Sequence, residues 1–243
     1  MNQFLRTELL LGENNLRKFS EARVAVIGLG GVGSYAAEAL VRGGIGKILL
    51  VDFDTIEPSN INRQLPAMHS TIGKRKTEIL SLRFGDINPH AEIDRHDGIC
   101  DRDSFSTILK KIDFVVDAID SIAHKVDLIE YVYHQKIPII SVMGAGNRFD
   151  PQKITIADIS KTYQCPLAKR VRKHLSKRGI KKGVPTVYSY EKPIKIEAVQ
   201  TEPTRDHRTK NPVGTISYIP AMMGMWAASY VLRSLAGYEI KLR

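Results

Sequence analysis

Residues 28 to 33 read Gly-Leu-Gly-Gly-Val-Gly, directly behind the apolar run Val24-Ala25-Val26-Ile27 and ahead of the helix-like Ser34-Tyr35-Ala36-Ala37-Glu38-Ala39-Leu40. A strand, a glycine turn and a helix start, in that order, constrain the local fold tightly. The turn lets backbone approach a ligand closely, and the free N–H groups and dipole of the helix N-terminus favour phosphate. Gly28, Gly30 and Gly33 satisfy the dinucleotide spacing, with Gly31 as an extra glycine. Asp52 closes the next apolar run, about 20 residues on, where a ribose-binding carboxylate belongs. The turn predicts a nucleotide and leaves a nicotinamide oxidoreductase and an ATP-using enzyme both open.

Further apolar runs follow at Lys47 to Phe53, Ile112 to Asp117 and Ile137 to Val142, with a weaker strand at Glu92 to Asp94, separated by helical patterns at Arg75 to Leu82, Asp103 to Lys111 and Ala123 to Gln135. Strands alternating with helices predict an α/β fold: a Rossmann-like, doubly wound, mainly parallel sheet covered on both faces. The core is expected over residues 20 to 160, preceded by a helical arm, so that a nucleotide-binding unit spans 1–160. Residues 161–243 read as a basic α/β elaboration. It comprises a basic helix, a β-rich piece at Val184 to Tyr190, a polar stretch from Glu202 to Asn211 and a terminal apolar helix.

That last tract, Val213 to Leu232, approaches a membrane span in length, but Gly214, Ser217, Pro220, Gly224 and Ser229 interrupt it. A buried or dimer-packed helix is the expectation, and membrane contact is not. The N-terminus shows no basic region followed by an apolar core, so no signal peptide is expected and a cytoplasmic location is. Cys100 and Cys165 are the only cysteines, which excludes a disulfide framework and a four-cysteine zinc site; no zinc is expected.

The polar residues after Asp52 narrow the chemistry. Asp54 comes first, then Ser59-Asn60-Ile61-Asn62-Arg63-Gln64, then Gly73-Lys74-Arg75-Lys76. Donors and positive charge just past a strand's carboxyl end can surround phosphates. A redox cofactor's ribose needs less charge than this, whereas adenylyl transfer builds negative charge on the α-phosphate and the leaving pyrophosphate. Taken separately, Arg63 and Lys76 read equally well as solvated surface charge. Asp117-Ala118-Ile119-Asp120-Ser121 closes another strand, so Asp120 can hold magnesium beside the phosphates or cap the following helix.

Taken in order, GLGGVG, DFD, SNINRQ, GKRK and DAID resemble the ubiquitin-activating-like adenylyltransferases, the family of the molybdopterin and thiamine sulfur-carrier activators, over roughly residues 1 to 158. The resemblance implies that Asp52 takes the ribose, Arg63 and Lys76 the triphosphate, and Asp120 the magnesium, with Asn60 contacting the nucleotide. It further implies that Arg6, in Arg6-Thr7-Glu8-Leu9-Leu10-Leu11-Gly12, serves the ATP of a neighbouring subunit, hence a homodimer with composite sites.

The carboxyl half, Ser141 to Gly146, Asp150-Pro151, Ala157 to Thr162 and Pro166-Leu167-Ala168 with its basic helix, is similar to the tRNA threonylcarbamoyladenosine dehydratases. This resemblance covers nearly the whole chain. It implies that ATP activates the threonine carboxylate of the modified adenosine next to the anticodon, and that the neighbouring ureido group closes on it with net loss of water. An intramolecular nucleophile needs no enzyme cysteine. Cys165 is accordingly expected to be a cap or loop residue and Cys100 to be inert. Sulfur-relay proteins, a cysteine desulfurase or sulfur acceptor, enter as possible partners; the sequence leaves open whether a monovalent cation binds near the turn from Ala157 to Thr162.

Net charge is +10, and it is localised. Between Asp158 and Glu191 there is no acidic residue, while Lys161, Lys169, Arg170, Arg172, Lys173, Lys177, Arg178, Lys181 and Lys182 are all positive. A solvated helix would usually carry compensating Glu, so contact with the tRNA backbone is the expected role. Tyr163, Tyr188 and Tyr190 read equally as base-stacking or core residues. His69, His96, His124 and His134 show no ligand-like spacing and receive no role. Three rivals remain: activation of the C-terminus of a ubiquitin-like or sulfur-carrier protein, a nicotinamide oxidoreductase, and a basic RNA-binding protein without activity.

Overall fold

The alternation of apolar runs and amphipathic segments produces one seven-stranded sheet in the computed structural model, which describes residues 2–196, 213–240 and 242. The polar stretch from Glu202 to Asn211 lies outside the described residues. The strands are β1 (Arg23–Ile27), β2 (Lys47–Val51), β3 (Glu92–His96), β4 (Phe114–Asp117), β5 (Ile139–Val142), β6 (Ile154–Asp158) and β7 (Pro185–Ser189), in the spatial order β3-β2-β1-β4-β5-β7-β6. All neighbours are parallel except β6, which runs antiparallel to β7. This is the Rossmann-like, mainly parallel sheet.

Among the described residues, eight α-helices surround it: α1 (Leu5–Leu11), α2 (Glu13–Glu21), α3 (Gly33–Gly43), α4 (Lys76–Ile87), α5 (Phe105–Ile108), α6 (Ile122–Gln135), α7 (Pro166–Lys177) and α8 (Tyr218–Leu235). Both sheet faces are buried, as expected of parallel strands with crossover helices. Along β1, Val24 and Val26 join the core beneath α3 and α8, whereas Ala25 and Ile27 join the opposite core with α6 and α7. The period of two in a strand makes this division automatic.

Two local expectations change. The helix expected over Asp103 to Lys111 contracts to Phe105–Ile108, because a turn of reciprocal Asp101 and Ser104 hydrogen bonds precedes it and Lys111 adopts a left-handed φ of 58° after it. Ile154–Asp158, which is not among the strands expected from the sequence, forms β6 at the sheet edge. With β7 inserted between β5 and β6, the chain on either side of residue 160 shares one sheet.

The terminal apolar tract becomes α8, packed on α3 so closely that a Cβ at Gly224 would lie 2.4 Å from the Val32 carbonyl oxygen. Ile219, Met223, Ala227 and Val231 are fully buried at helical spacing. Among the described residues, no helix is long and apolar enough to cross a membrane.

Candidate active site

Strand register brings the polar motifs to one edge of the sheet. Ile27, the last residue of β1, pairs with Val51 on one side and Asp117 on the other, so Gly28, Asp52 and Ala118 all emerge together. The chain leaves β1 for β2 on one side and β4 lies on the other, which makes this the switch point where parallel sheets bind ligands. A cleft of about 620 Å³ opens there. Gly28, Gly30, Gly31, Asp52, Asp54, Asn60, Arg63, Lys76 and Asp120 all line it. A nucleotide fits a cavity of that size.

The glycines divide by cause. Gly28 has a φ of 90°, and a Cβ there would fall 2.8 Å from the Ala118 carbonyl oxygen. Gly33 lies outside the lining and is required by packing, since its Cβ would be 1.8 Å from the Gly28 carbonyl oxygen. Gly31 is crowded by Pro220 and by Arg63. Gly30 is different: its nearest neighbour, Gln64 Nε2, is 3.8 Å away, so a side chain would point into open cleft. Close approach of a ligand is the demand that only Gly30 leaves unexplained by protein contacts.

Asp52 is 8% exposed and accepts hydrogen bonds from the Leu29 amide at 2.6 Å and the Asp54 amide at 2.8 Å. Burial pushes its carboxyl above the ordinary aspartate range, against the opposing pull of the Lys76 ammonium and those two amides. Lys76, the first residue of α4, is 4% exposed. Its Nζ lies 2.7 Å from Asp54 Oδ2 and 3.9 Å from Asp52 Oδ1. The reading of Lys76 as solvated surface charge therefore fails. A short antiparallel bridge between Thr55 and Arg75 delivers it inward.

Arg63 donates from Nη1 to the Ser59 carbonyl at 2.8 Å and to Asn62 Oδ1 at 2.9 Å, which holds the guanidinium beside the cleft. Asn60 is buried and its Oδ1 accepts from the Glu57 amide, so it also shapes the loop that carries Arg63. Asp120 is exposed and has no hydrogen bond or ion pair among the described residues. The helix-cap reading of Asp120 does not describe it, because the residue at the N-cap of α6 is Ser121. Arg6, on α1, is exposed and outside the lining of its own chain's cleft.

Beneath the cleft is a group that the sequence reading overlooked. Lys125 is fully buried; its Nζ donates to Asp117 Oδ2 at 2.7 Å and to the Val142 carbonyl at 3.0 Å, while Ser141 Oγ donates to the same Asp117 oxygen at 2.6 Å. The signal was a lysine on the apolar face of α6, three residues after Ile122 and four before Ile129. His124 lines the cleft as well. Cys100 lies in the lining, but burial, with Asp101 and Asp117 nearby, pushes its thiol up to about 12. Cys165 is buried at the N-cap of α7 and makes no side-chain cap bond.

On α7, Ala168, Val171 and Leu175 face the core. Arg172 turns inward and donates to the carbonyl oxygens of Thr162 at 2.8 Å and Ile159 at 3.2 Å. Arg178 pairs with Asp127 and Glu130 of α6 at 2.6 and 2.9 Å, in a network that also includes Arg102. These two positions are engaged within the fold, whereas Lys169, Arg170, Lys173, Lys177, Lys181 and Lys182 are exposed. In the turn from Ala157 to Thr162, Asp158 is the single carboxylate. It accepts from the Ser160 amide and hydroxyl and from the Gly183 and Val184 amides. Burial opposes its ionised form, but these donors outweigh burial and hold its carboxyl below the ordinary range.

Residues 4–243 match the ThiF family. The chain belongs to that family. Among its relatives, a tRNA threonylcarbamoyladenosine dehydratase of Bacillus subtilis is 41% identical over 241 residues, covering 97% of this chain and 95% of the relative. One of Haemophilus influenzae is 40% identical over 233 residues, covering 91% and 88%. The Escherichia coli tRNA N6-threonylcarbamoyladenosine dehydratase TcdA, solved with ATP, superposes with a TM-score of 0.87 at 34% identity, over 97% of this chain and 94% of that one. The similarity covers nearly the whole of this ThiF-family chain, and the E. coli structure shares its fold. Among the described residues there is no group of three or more His, Cys, Asp or Glu side chains arranged to hold a metal.

Proposed function

We propose that this ThiF-family protein uses ATP to dehydrate threonylcarbamoyladenosine next to the anticodon of tRNA. The observation that carries the reading is the convergence of Arg63, Lys76 and Asp120 on the cleft at the glycine turn, in a chain whose relatives along nearly their full length are dehydratases of that substrate. A threonine carboxylate oxygen attacks the α-phosphorus, and pyrophosphate leaves. The ureido group of the same nucleoside then attacks the activated carbonyl, and AMP departs with the carboxylate oxygen. The sum is the loss of one water from the nucleoside.

Each residue has a physical task. Asp52, held by two amides, accepts from ribose hydroxyls. Lys76 and Arg63 neutralise charge that grows on the phosphates, inside a site where donors are already oriented. Asn60 and Asp54 position those cations. Magnesium fits the exposed Asp120, which has no hydrogen bond or ion pair among the described residues, because this ion is commonly held by one or two carboxylates plus substrate phosphates; bound there it would neutralise phosphate charge. A monovalent cation at the turn from Ala157 to Thr162 would depend on carbonyl oxygens, since the Asp158 carboxylate is taken.

A homodimer completes the reading. Arg6 does not reach its own cleft, and its helix leaves Leu9 and Leu10 74% and 79% exposed. On α8, Met222, Met225 and Trp226 also present apolar surface. Contact between copies would cover such surface and carry Arg6 to a partner's ATP. The exposed cations on and after α7 would follow the tRNA backbone, in the cytoplasm, with sulfur-relay proteins as further partners.

Mass spectrometry of threonylcarbamoyl-modified tRNA incubated with the protein and ATP tests the function. Loss of one water from the nucleoside, with release of AMP and pyrophosphate, is expected. An unchanged nucleoside mass alongside adenylation of a sulfur-carrier C-terminus would replace this reading with the family's other chemistry.

A further inference from the structure

Tyr163 is held with unusual care for an exposed residue. It lies in the short link between β6 and α7 and is 55% exposed. Its ring stacks on Tyr190, with centroids 5.7 Å apart and planes 29° apart, and meets the edge of buried Tyr188 at 6.1 Å and 74°. Tyr190 thereby backs the ring, while Tyr163 as a whole stays exposed.

The backbone on both sides is clamped. The carbonyl of Thr162 accepts from Arg172 at 2.8 Å. The carbonyl of Gln164 accepts from Arg148 at 2.8 Å, and Gln164 itself has a left-handed φ of 53°. Arg148 is 3% exposed, and its Nε and Nη1 have no acceptor among the described residues. A buried guanidinium with unmade bonds and a non-glycine residue at positive φ both cost stability. Together they fix a tyrosine that stays exposed, which core packing does not require.

The surroundings define what that face can take. Leu167, four residues on, lines the nucleotide cleft, while Lys169 and Arg170 begin the exposed cationic side of α7. An aromatic face between a reaction cleft and a phosphate-attracting surface suits an unstacked base, since any base presents a π-face and the cations take its backbone.

We propose that Tyr163, backed by Tyr190, is the stacking platform for an unpaired nucleobase flanking the reacting adenosine in the RNA substrate. The inference rests on the RNA-modifying reading above. It assigns Tyr163 to substrate positioning, with no part in proton or adenylyl transfer.

The test uses the full-length protein and an anticodon stem-loop carrying threonylcarbamoyladenosine. Tyr163→Ala and Tyr163→Leu should weaken RNA binding by about 5- to 150-fold, the range of base-stacking losses on truncation. Tyr163→Phe and Tyr163→Trp should bind as wild type, and ATP affinity should be unchanged in all four. The slope of affinity against salt should stay at the wild-type value in Tyr163→Leu, because stacking releases no counterions. An abasic site at the flanking position should remove the difference between wild type and Tyr163→Leu. If wild type converts the RNA while Tyr163→Leu binds it equally well, or Phe weakens binding as much as Leu, the platform is wrong and the function stands. If wild type leaves the modified nucleoside unchanged, the function falls and the platform with it.

Discussion

Lys76 Nζ sits 2.7 Å from Asp54 Oδ2 and 3.9 Å from Asp52 Oδ1, so the cation proposed for the triphosphate lies between the carboxylate proposed for ribose and its neighbour. An ammonium with three donors can keep Asp54 while it meets phosphate. Lys76→Met should lower kcat/KM by about 10²- to 10³-fold, the usual loss when a preorganised charge-stabilising group is removed. Single-turnover kinetics with intact far-UV circular dichroism would check it; near-normal turnover would remove Lys76 from the triphosphate.

The same pair sets a pH dependence. Burial holds the Asp52 pKa above its unfolded value, so the folded protein binds this proton more tightly than the unfolded chain. Ionisation of Asp52 therefore weighs against folding above the raised pKa, and that cost disappears as pH falls through it toward the unfolded value. ATP binding runs the other way, since the ribose acceptor is lost in that window. ATP affinity measured by calorimetry should decline at a higher pH than an ordinary aspartate would give, and Lys76→Met should move the decline higher still.

Asp120 separates activity from stability more cleanly than any other site residue. It is exposed and without a hydrogen bond or ion pair among the described residues, so Asp120→Ala should change unfolding free energy by no more than about 0.5 kcal/mol. Pyrophosphate release should nevertheless collapse, and the magnesium concentration for half-maximal activity should rise in Asp120→Asn. A large drop in thermal midpoint would mean that Asp120 is structural.

Asp117 and Lys125 should behave oppositely. Both are fully buried, and removing one strands the other's charge. Lys125→Met should destabilise the fold by about 3–5 kcal/mol, and a Lys125→Met, Asp117→Leu double variant should recover part of that loss in denaturant titrations.

The basic segment predicts two classes of variant. Lys169→Ala, Lys173→Ala or Lys177→Ala should each weaken tRNA binding uniformly and flatten the salt slope by about one unit or less. Arg172→Ala should instead lower the thermal midpoint, because its guanidinium holds the carbonyl oxygens of Ile159 and Thr162. Equal slopes across both classes would remove the distinction between exposed and internally bonded cations.

Much of this protein was legible in its sequence because the relevant forces are local. The short continuous apolar runs specify buried parallel strands, and the glycine turn specifies where the backbone must reverse. The motif order carries the family, since GLGGVG, DFD and DAID sit at strand ends while SNINRQ and GKRK fill the connection from β2 to α4. The boundaries of α5 and the existence of β6 were less legible, because a four-residue helix and an edge strand depend on turn geometry and on a partner strand, β7, distant in the chain.

The tertiary structure decided which charges are available. Lys76 and Lys125 are both lysines near the start of helices; burial beside Asp54 puts one into the cleft, and burial beside Asp117 locks the other beneath it. Arg172 and Lys173 are adjacent, yet the turn of the helix aims one at backbone carbonyls and the other at water. Sequence spacing determined the elements and the chemistry they can host. Only packing determined which side chains meet partners inside the fold, because desolvation and hydrogen bonding act through three-dimensional neighbours that no spacing records.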